Sequence, residues 1–232
     1  QTCNALNSVH QITGTTSVHI GEPITVSVPE IVGYRIFSWV GPDNFNSQYP
    51  DNNITTYAEL KHEGWYYVHV SSPDCNESQA DSIYVDVLLN QGNPSCATTT
   101  NNITYDNISI ADQTYASVYK GINASYGVFG LSASNSGSDI DILFHPYWNT
   151  HEPEDGIYDT NDSFTFGQTD ANYNKVYVST VNQSILWQCN PGQQVYVSHV
   201  AGKLKVRYCN LAMGGYNGTS YTTHASGDLT EQ

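Results

Sequence analysis

Apolar residues recur in this chain at every second position, in short runs, and no stretch sustains the 3.6-residue period of an amphipathic helix. "PITVSV" (Pro23–Val28), "YRIFSWV" (Tyr34–Val40), "WYYVHV" (Trp65–Val70) and "SIYVDVLL" (Ser82–Leu89) each alternate in this way. A period of two puts successive side chains on opposite faces of a strand. Turn-forming stretches separate the runs, among them "GPDN" (Gly41–Asn44) and "SPDCN" (Ser72–Asn76). The pattern dictates an all-β fold, and about six or seven short strands in the first ninety or so residues indicate a sandwich.

The segment "NQGNPSCATTTNN" (Asn90–Asn102) has no long apolar side chain and is rich in Asn, Thr, Gly and Pro. It predicts a boundary: a first β-sandwich over residues 1–92, a linker over 93–100, and a larger antiparallel β domain over 101–232. The second half offers strands at Tyr115–Tyr119, Tyr126–Ala133, Asp139–His145, Lys175–Val181, Ile185–Gln188, Gln194–Val200 and Lys203–Cys209. A two-residue Ala-Gly turn in "VAGK" (Val200–Lys203) joins the last two as a hairpin. Periodicity leaves three architectures open there: a larger sandwich, a jelly roll or a lipocalin-like barrel.

Only 12 % of the residues are charged, and the formal net charge of −15 leaves seven Lys and Arg in 232 residues. No basic patch can neutralise a run of phosphates, so nucleic acid is not an expected partner. An anionic membrane surface is disfavoured for the same reason. No apolar run reaches the roughly 20 residues that a helical span requires. A chain that opens on Gln1, Thr2 and Cys3, with few Lys and one Met, reads as a mature secreted product.

The five cysteines form no CxxC pair, and their wide spacing suits disulfides in an oxidising compartment. The expected pairs are Cys3–Cys75 and Cys189–Cys209, which leaves Cys96. Cys96–Cys209 is a competing arrangement, because spacing does not fix connectivity. Eight N-x-S/T sequons begin at Asn53, Asn76, Asn102, Asn107, Asn123, Asn161, Asn182 and Asn217. They would be glycan acceptors in a eukaryotic secretory protein.

"FSWVGPDNF" followed by "EGWYYVHVSSPDC" resembles the Ig-like or PKD-like modules of large secreted bacterial cell-surface proteins, of the kind found in gliding bacteria. The resemblance covers about residues 1–92. It is carried by Trp39, the Gly41-Pro42 turn, and Gly64 to Val70 ahead of Cys75. Trp39 is expected at the centre of the sandwich, and Tyr66 is placed as the tyrosine of a strand-start corner. The antibody inter-sheet disulfide is absent, because no Cys sits in either strand that would carry it. The second half resembles lipocalin-like or sandwich domains of secreted bacterial proteins, through "DGIY…KVYVSTV…GQQVYVSHVAGKLKVRYCNLAM".

No GxSxG elbow, HExxH, P-loop or GxGxxG occurs, so the chain is expected not to be an enzyme. The chemistry concentrates in "HPYWNTHEPEDGIYDTND" (His145–Asp162). Glu152, Glu154, Asp155, Asp159 and Asp162 crowd eleven positions, and such a set can supply oxygens to calcium. No cofactor is required, and the plain alternative is a solvated acidic connection. Tyr147, Trp148 and His151 form a candidate ligand platform, since aromatic faces stack on sugar rings. Lys203, Lys205 and Arg207 share one strand face, either for an acidic partner or as a solvent face that discourages edge pairing. The expected function is a non-enzymatic adhesion or assembly component at the cell surface, in contact with other surface proteins or with itself. The alternative is an extracellular carbohydrate-binding module that takes glycans with or without calcium.

Overall fold

The computed structural model describes residues 12–29, 36–72, 75–164 and 173–232, with side chains for these except 72–77. The expected Cys3–Cys75 pair therefore lies outside the described residues. The chain divides into two compact units, Gln1–Leu88 and Leu89–Gln232. Both are all-β.

Unit 1 has strands β1 (Thr13–Gly14), β2 (Ser17–His19), β3 (Ile24–Ser27), β4 (Ile36–Val40), β5 (Asn46–Ser47), β6 (Asp51–Thr55), β7 (Gly64–Ser72) and β8 (Cys75–Leu88). They form two sheets, β1-β3-β6 and β2-β8-β7-β4-β5. All pairs are antiparallel except β2 with β8. This is an immunoglobulin-like sandwich. Alternation fills its middle: Val26 and Val28 from one sheet meet Phe37, Trp39, Val68 and Val70 from the other. Trp39 is 1 % exposed, and its indole N–H donates to the Tyr49 carbonyl at 2.9 Å. Burying a side chain of this size contributes on the order of 2–3 kcal/mol.

Tyr66 closes the corner. Its hydroxyl donates to the His62 carbonyl at 2.8 Å, four residues back, and its ring is fully buried. Desolvation pushes its phenol up to about 12. Gly41 is required opposite it, because a Cβ there would lie 2.4 Å from the Tyr66 ring. The Gly-Pro turn after Trp39 is thus part of the same piece of packing.

Unit 2 contains β9 (Asn102–Tyr105), β10 (Gln113–Thr114), β11 (Tyr119–Ile122), β12 (Phe129–Ser134), β13 (Ser138–Phe144), β14 (Gly156–Thr160), β15 (Lys175–Asn182), β16 (Ile185–Cys189), β17 (Gln194–Val200), β18 (Lys203–Tyr216) and β19 (Ser220–Thr230). They make one sheet in the order β10-β9-β19-β18-β17-β14-β15-β13-β12-β11, with β16 inserted between β15 and β18. Ten strands laid flat would span roughly 43 Å. The outermost two, β10 and β11, are joined by only residues 115–118, a link that reaches at most about 18 Å. The sheet must therefore curl until its edges meet. Hydrogen bonds record the curl: the Tyr115 hydroxyl lies 2.8 Å from the Ser138 hydroxyl, and the Gln232 backbone N–H donates to the Val118 carbonyl at 3.1 Å.

Of the three architectures left open by the sequence, the lipocalin-like barrel is not the one present. A lipocalin-like meander pairs each strand with its chain neighbours. Here β9 pairs with β19, β14 with β17, β16 with β18, and β14 runs parallel to β15. The hairpin at Val200–Lys203 forms as expected, with Ala201 at φ 53° and Gly202 at φ 76°.

The expected linker over 93–100 is also corrected. Residues from Leu89 onward belong to unit 2. Ile157 N–H donates to the Asn90 carbonyl, Gln91 donates to the Asp155 carbonyl, Arg207 donates to Asn93, and Cys96 is bonded to Cys209. Main-chain and side-chain hydrogen bonds and a disulfide hold a segment that has no long apolar side chain.

Candidate functional site

The aromatic part of His145–Asp162 folds inward. Pro146–Thr150 forms a 3-10 turn, with His145 Nδ1 accepting the Tyr147 N–H at 3.1 Å. This turn drives Trp148 into the core at 1 % exposure, and its indole N–H donates to the Tyr173 carbonyl at 2.7 Å. Tyr147 stacks on Tyr173 with centroids 4.3 Å apart, and His151 meets both Tyr147 and Trp148 edge-on. The expected sugar platform is overturned at its centre. Trp148 has no free face, and Tyr147 has given one of its own to Tyr173.

The carboxylates do not gather either. Glu152 pairs with Lys120 at 2.7 Å and with His199 Nε2 at 3.2 Å, and Asp155 takes His199 Nδ1 at 2.6 Å. Asp159 faces Lys175 at 3.7 Å. Glu154 is exposed, and its carbonyl accepts the Tyr158 hydroxyl. Asp162 lies apart, beside β16 and β18. Among the described residues no group of three His, Cys, Asp or Glu comes together to hold a metal ion. The crowding in sequence is relieved because Lys120 and His199 engage Glu152 and Asp155, Lys175 faces Asp159, and Asp162 lies apart.

His199 sits at the centre of that network. Burial pulls its imidazolium down, and the hydrogen bonds and charges of Asp155 and Glu152 more than offset this, so it titrates above its ordinary range. The Lys120 hydrogen bond holds Glu152 low, and the same bond, with one from Glu231, holds Lys120 high. On the basic stripe, Lys203 is exposed, Lys205 pairs with Asp228 at 2.9 Å, and Arg207 bonds Asn93. The chain's own groups thus occupy Lys205 and Arg207.

The cysteine expectation is corrected as well. Cys209 is bonded to Cys96, and Cys189 is a free buried thiol. Strand alternation explains it: Cys189 points inward from β16, where Val178 N–H donates to its sulfur, and burial pushes the thiol up to about 11.

Two surfaces that sequence reasoning passed over stand out. On unit 1, the outer face of β7 carries Trp65 and Tyr67, each 50 % exposed, flanked by Tyr84 at 39 % and Val40 at 53 %. Register places Trp65 opposite Tyr84, and Tyr67 opposite Val40. The Trp65 ring lies 5.4 Å from Tyr84 and 6.3 Å from Tyr67. The signal was in "WYYVHV": with Tyr66, Val68 and Val70 inward, its other aromatics must face out. On unit 2, an open groove of about 440 Å³ runs over β16 and β18, floored by Gly214 and Gly215 and bordered by Asp162, Gln188, Asn190, Tyr216 and Tyr221.

No family model matches the chain, and no curated protein matches it. Among solved structures, a three-immunoglobulin-domain segment of titin, a mutated variant, is similar over 96 % of this chain and 97 % of that one, at 11 % identity and a TM-score of 0.23. The immunoglobulin-like assignment of unit 1 stands on its strand pairing and its tyrosine corner. Among the described residues no helix is long and apolar enough to cross a membrane. The Cys96–Cys209 bond is compatible with an extracellular protein.

Proposed function

We propose that the chain is a non-enzymatic adhesion or assembly component of the cell surface that works through protein–protein contacts. The observation that carries this reading is the outward aromatic face of unit 1. Exposed Trp and Tyr on a flat sheet are the side chains most enriched at interface centres. Rigid rings lose little entropy on docking. A net charge of −15 matches such a face to a partner that presents Lys or Arg, which aromatic faces also attract. A second copy of this chain would instead meet its own like charge. The resemblance of residues 1–92 to bacterial surface modules fits the same reading, as does the disulfide.

The test is a Trp65→Ser/Tyr67→Ser variant. Cross-linking mass spectrometry on cells that display the chain should find cross-links from β7 and β8 to a basic surface protein, and the variant should lose them with its melting temperature kept. Cross-links that persist unchanged in the variant, or a hydrolytic activity in the purified chain, would overturn the reading.

A further inference from the structure

We infer that the groove over β16 and β18 of unit 2 is a binding site for a neutral saccharide. The inference stands apart from the protein-contact face of unit 1 and from the buried aromatics of His145–His151.

The groove is built by register. Leu186 pairs with Tyr216, and Gln188 with Gly214, so that alternate residues of two neighbouring strands share one outer face. Tyr216 and Ser220 close the hairpin between β18 and β19 at its end. Gly214 leaves the floor bare: a Cβ there would meet only the Asn190 amide oxygen, at 4.0 Å. Gly215 points the other way, where a Cβ would lie 2.6 Å from the Trp187 ring. One glycine admits Trp187 to the core, and the other admits a ligand to the strand backbone.

The lining selects the ligand class. Tyr216 is 67 % exposed and offers ring surface for the C–H face of a pyranose, while Tyr221, paired with Gly215, turns its ring toward Trp187. Asp162, Gln188 and Asn190 supply acceptors and amide donors at the border, the mixture that orients a polyhydroxylated ring. Among the described residues, Asp162 is the one charged side chain in the lining, and no Lys or Arg borders it. Phosphates, sulfated sugars and uronic acids would meet a like charge in Asp162 and no countercharge. The volume lies within the range of small-ligand sites.

The decisive experiment is an array of neutral and acidic oligosaccharides probed with the full chain and with Gly214→Leu, Tyr216→Ala and Trp65→Ser/Tyr67→Ser variants. The wild type should bind a neutral oligosaccharide. Gly214→Leu fills the floor and should weaken that binding by about tenfold or more, as should Tyr216→Ala, with the circular dichroism and melting of both unchanged. The Trp65→Ser/Tyr67→Ser variant should bind the sugar like wild type, which separates this site from the protein-contact face. Tyr216 is on the surface, so its variant reports even if Gly214→Leu does not fold. A wild type that binds no neutral glycan overturns the inference. So does a signal confined to acidic glycans, or binding that survives both groove variants.

Discussion

The side-chain amide of Gln193 stands in for a peptide group opposite Ala212. Its Oε1 accepts the Ala212 N–H at 2.6 Å, and its Nε2 donates to the Ala212 carbonyl at 3.1 Å and to the Asn190 carbonyl at 2.8 Å. β18 needs this at the point where its partner changes from β17 to β16. Thr160 assists from β14, its hydroxyl donating to the Asn190 carbonyl at 2.6 Å and accepting the Gln193 N–H at 2.9 Å. Gln193→Ala strands the Ala212 N–H, while the Ala212 carbonyl keeps the Asn190 N–H at 2.9 Å and the Asn190 carbonyl keeps the Thr160 hydroxyl. It should cost about 2–3 kcal/mol and lower the melting temperature of unit 2 by roughly 5–10 °C. A variant that melts like wild type would show that water replaces the amide.

Trp148→Ala should act on stability. A buried indole with a satisfied N–H leaves a cavity when removed, at about 3–5 kcal/mol. Denaturant unfolding would register this. A fully stable Trp148→Ala chain would contradict the burial described for the residue.

The disulfide spans 113 residues. Loop entropy alone puts its contribution at about 4–5 kcal/mol, so Cys96→Ser/Cys209→Ser should melt well below the wild type. Peptide mapping after alkylation should find Cys189 unmodified in the native chain at pH 8 and modified once the chain is unfolded. Its thiol is buried and held up to about 11. Alkylation of native Cys189 would count against this.

The Asp155–His199–Glu152 network makes a signed prediction in pH. The folded pKa of His199 is raised above its ordinary 6.5, so its contribution is complete below 6.5 and is lost as pH rises through the folded value. That of Glu152 is lowered from 4.5, so its contribution is complete above 4.5 and is lost as pH falls through the folded value. Both act together between about 4.5 and 6.5. Raising pH from 6 to 8 should weaken unit 2 in the wild type, and His199→Gln should flatten that slope. NMR titration of the ring gives the same answer directly. Because the partners are half-exposed, added salt should shrink the effect.

Much of the architecture was legible because it depends on period two. The strand at Gln194–Val200 has the bounds its pattern gives, and the hairpin after it turns where Ala-Gly permits positive φ. What the pattern could not carry was pairing across distance. Nothing in "NITY" or "SYTTHASGDLT" says that β9 and β19 are partners, and neither stretch reads as a strand by alternation. The linker expectation fails for the same reason, since Asn90–Cys96 is held by groups more than sixty residues away. Sequence also cannot separate a buried aromatic from an exposed one when it lies in a turn, where no alternation sorts the faces. Trp148 draws attention for its acidic neighbours and is buried. Trp65 opens the "WYYVHV" run, directly before Tyr66, and is the one that faces solvent.

The β9–β19 pair sets a timetable for synthesis. Tyr105 must wait for Ala225, and Cys96 for Cys209, before either finds its partner. At ordinary translation rates that wait lasts roughly 6–24 seconds. During it β9 and β10 have no partner beyond each other, and the curled sheet has an open side. Local hairpins such as β11-β12-β13 can form as they emerge, but the sheet is completed only after its last strand has emerged. Its folding should accordingly be slow for its size, as distant pairings require, and a nascent chain stalled before residue 225 should be as sensitive to protease through β9 as an unfolded one.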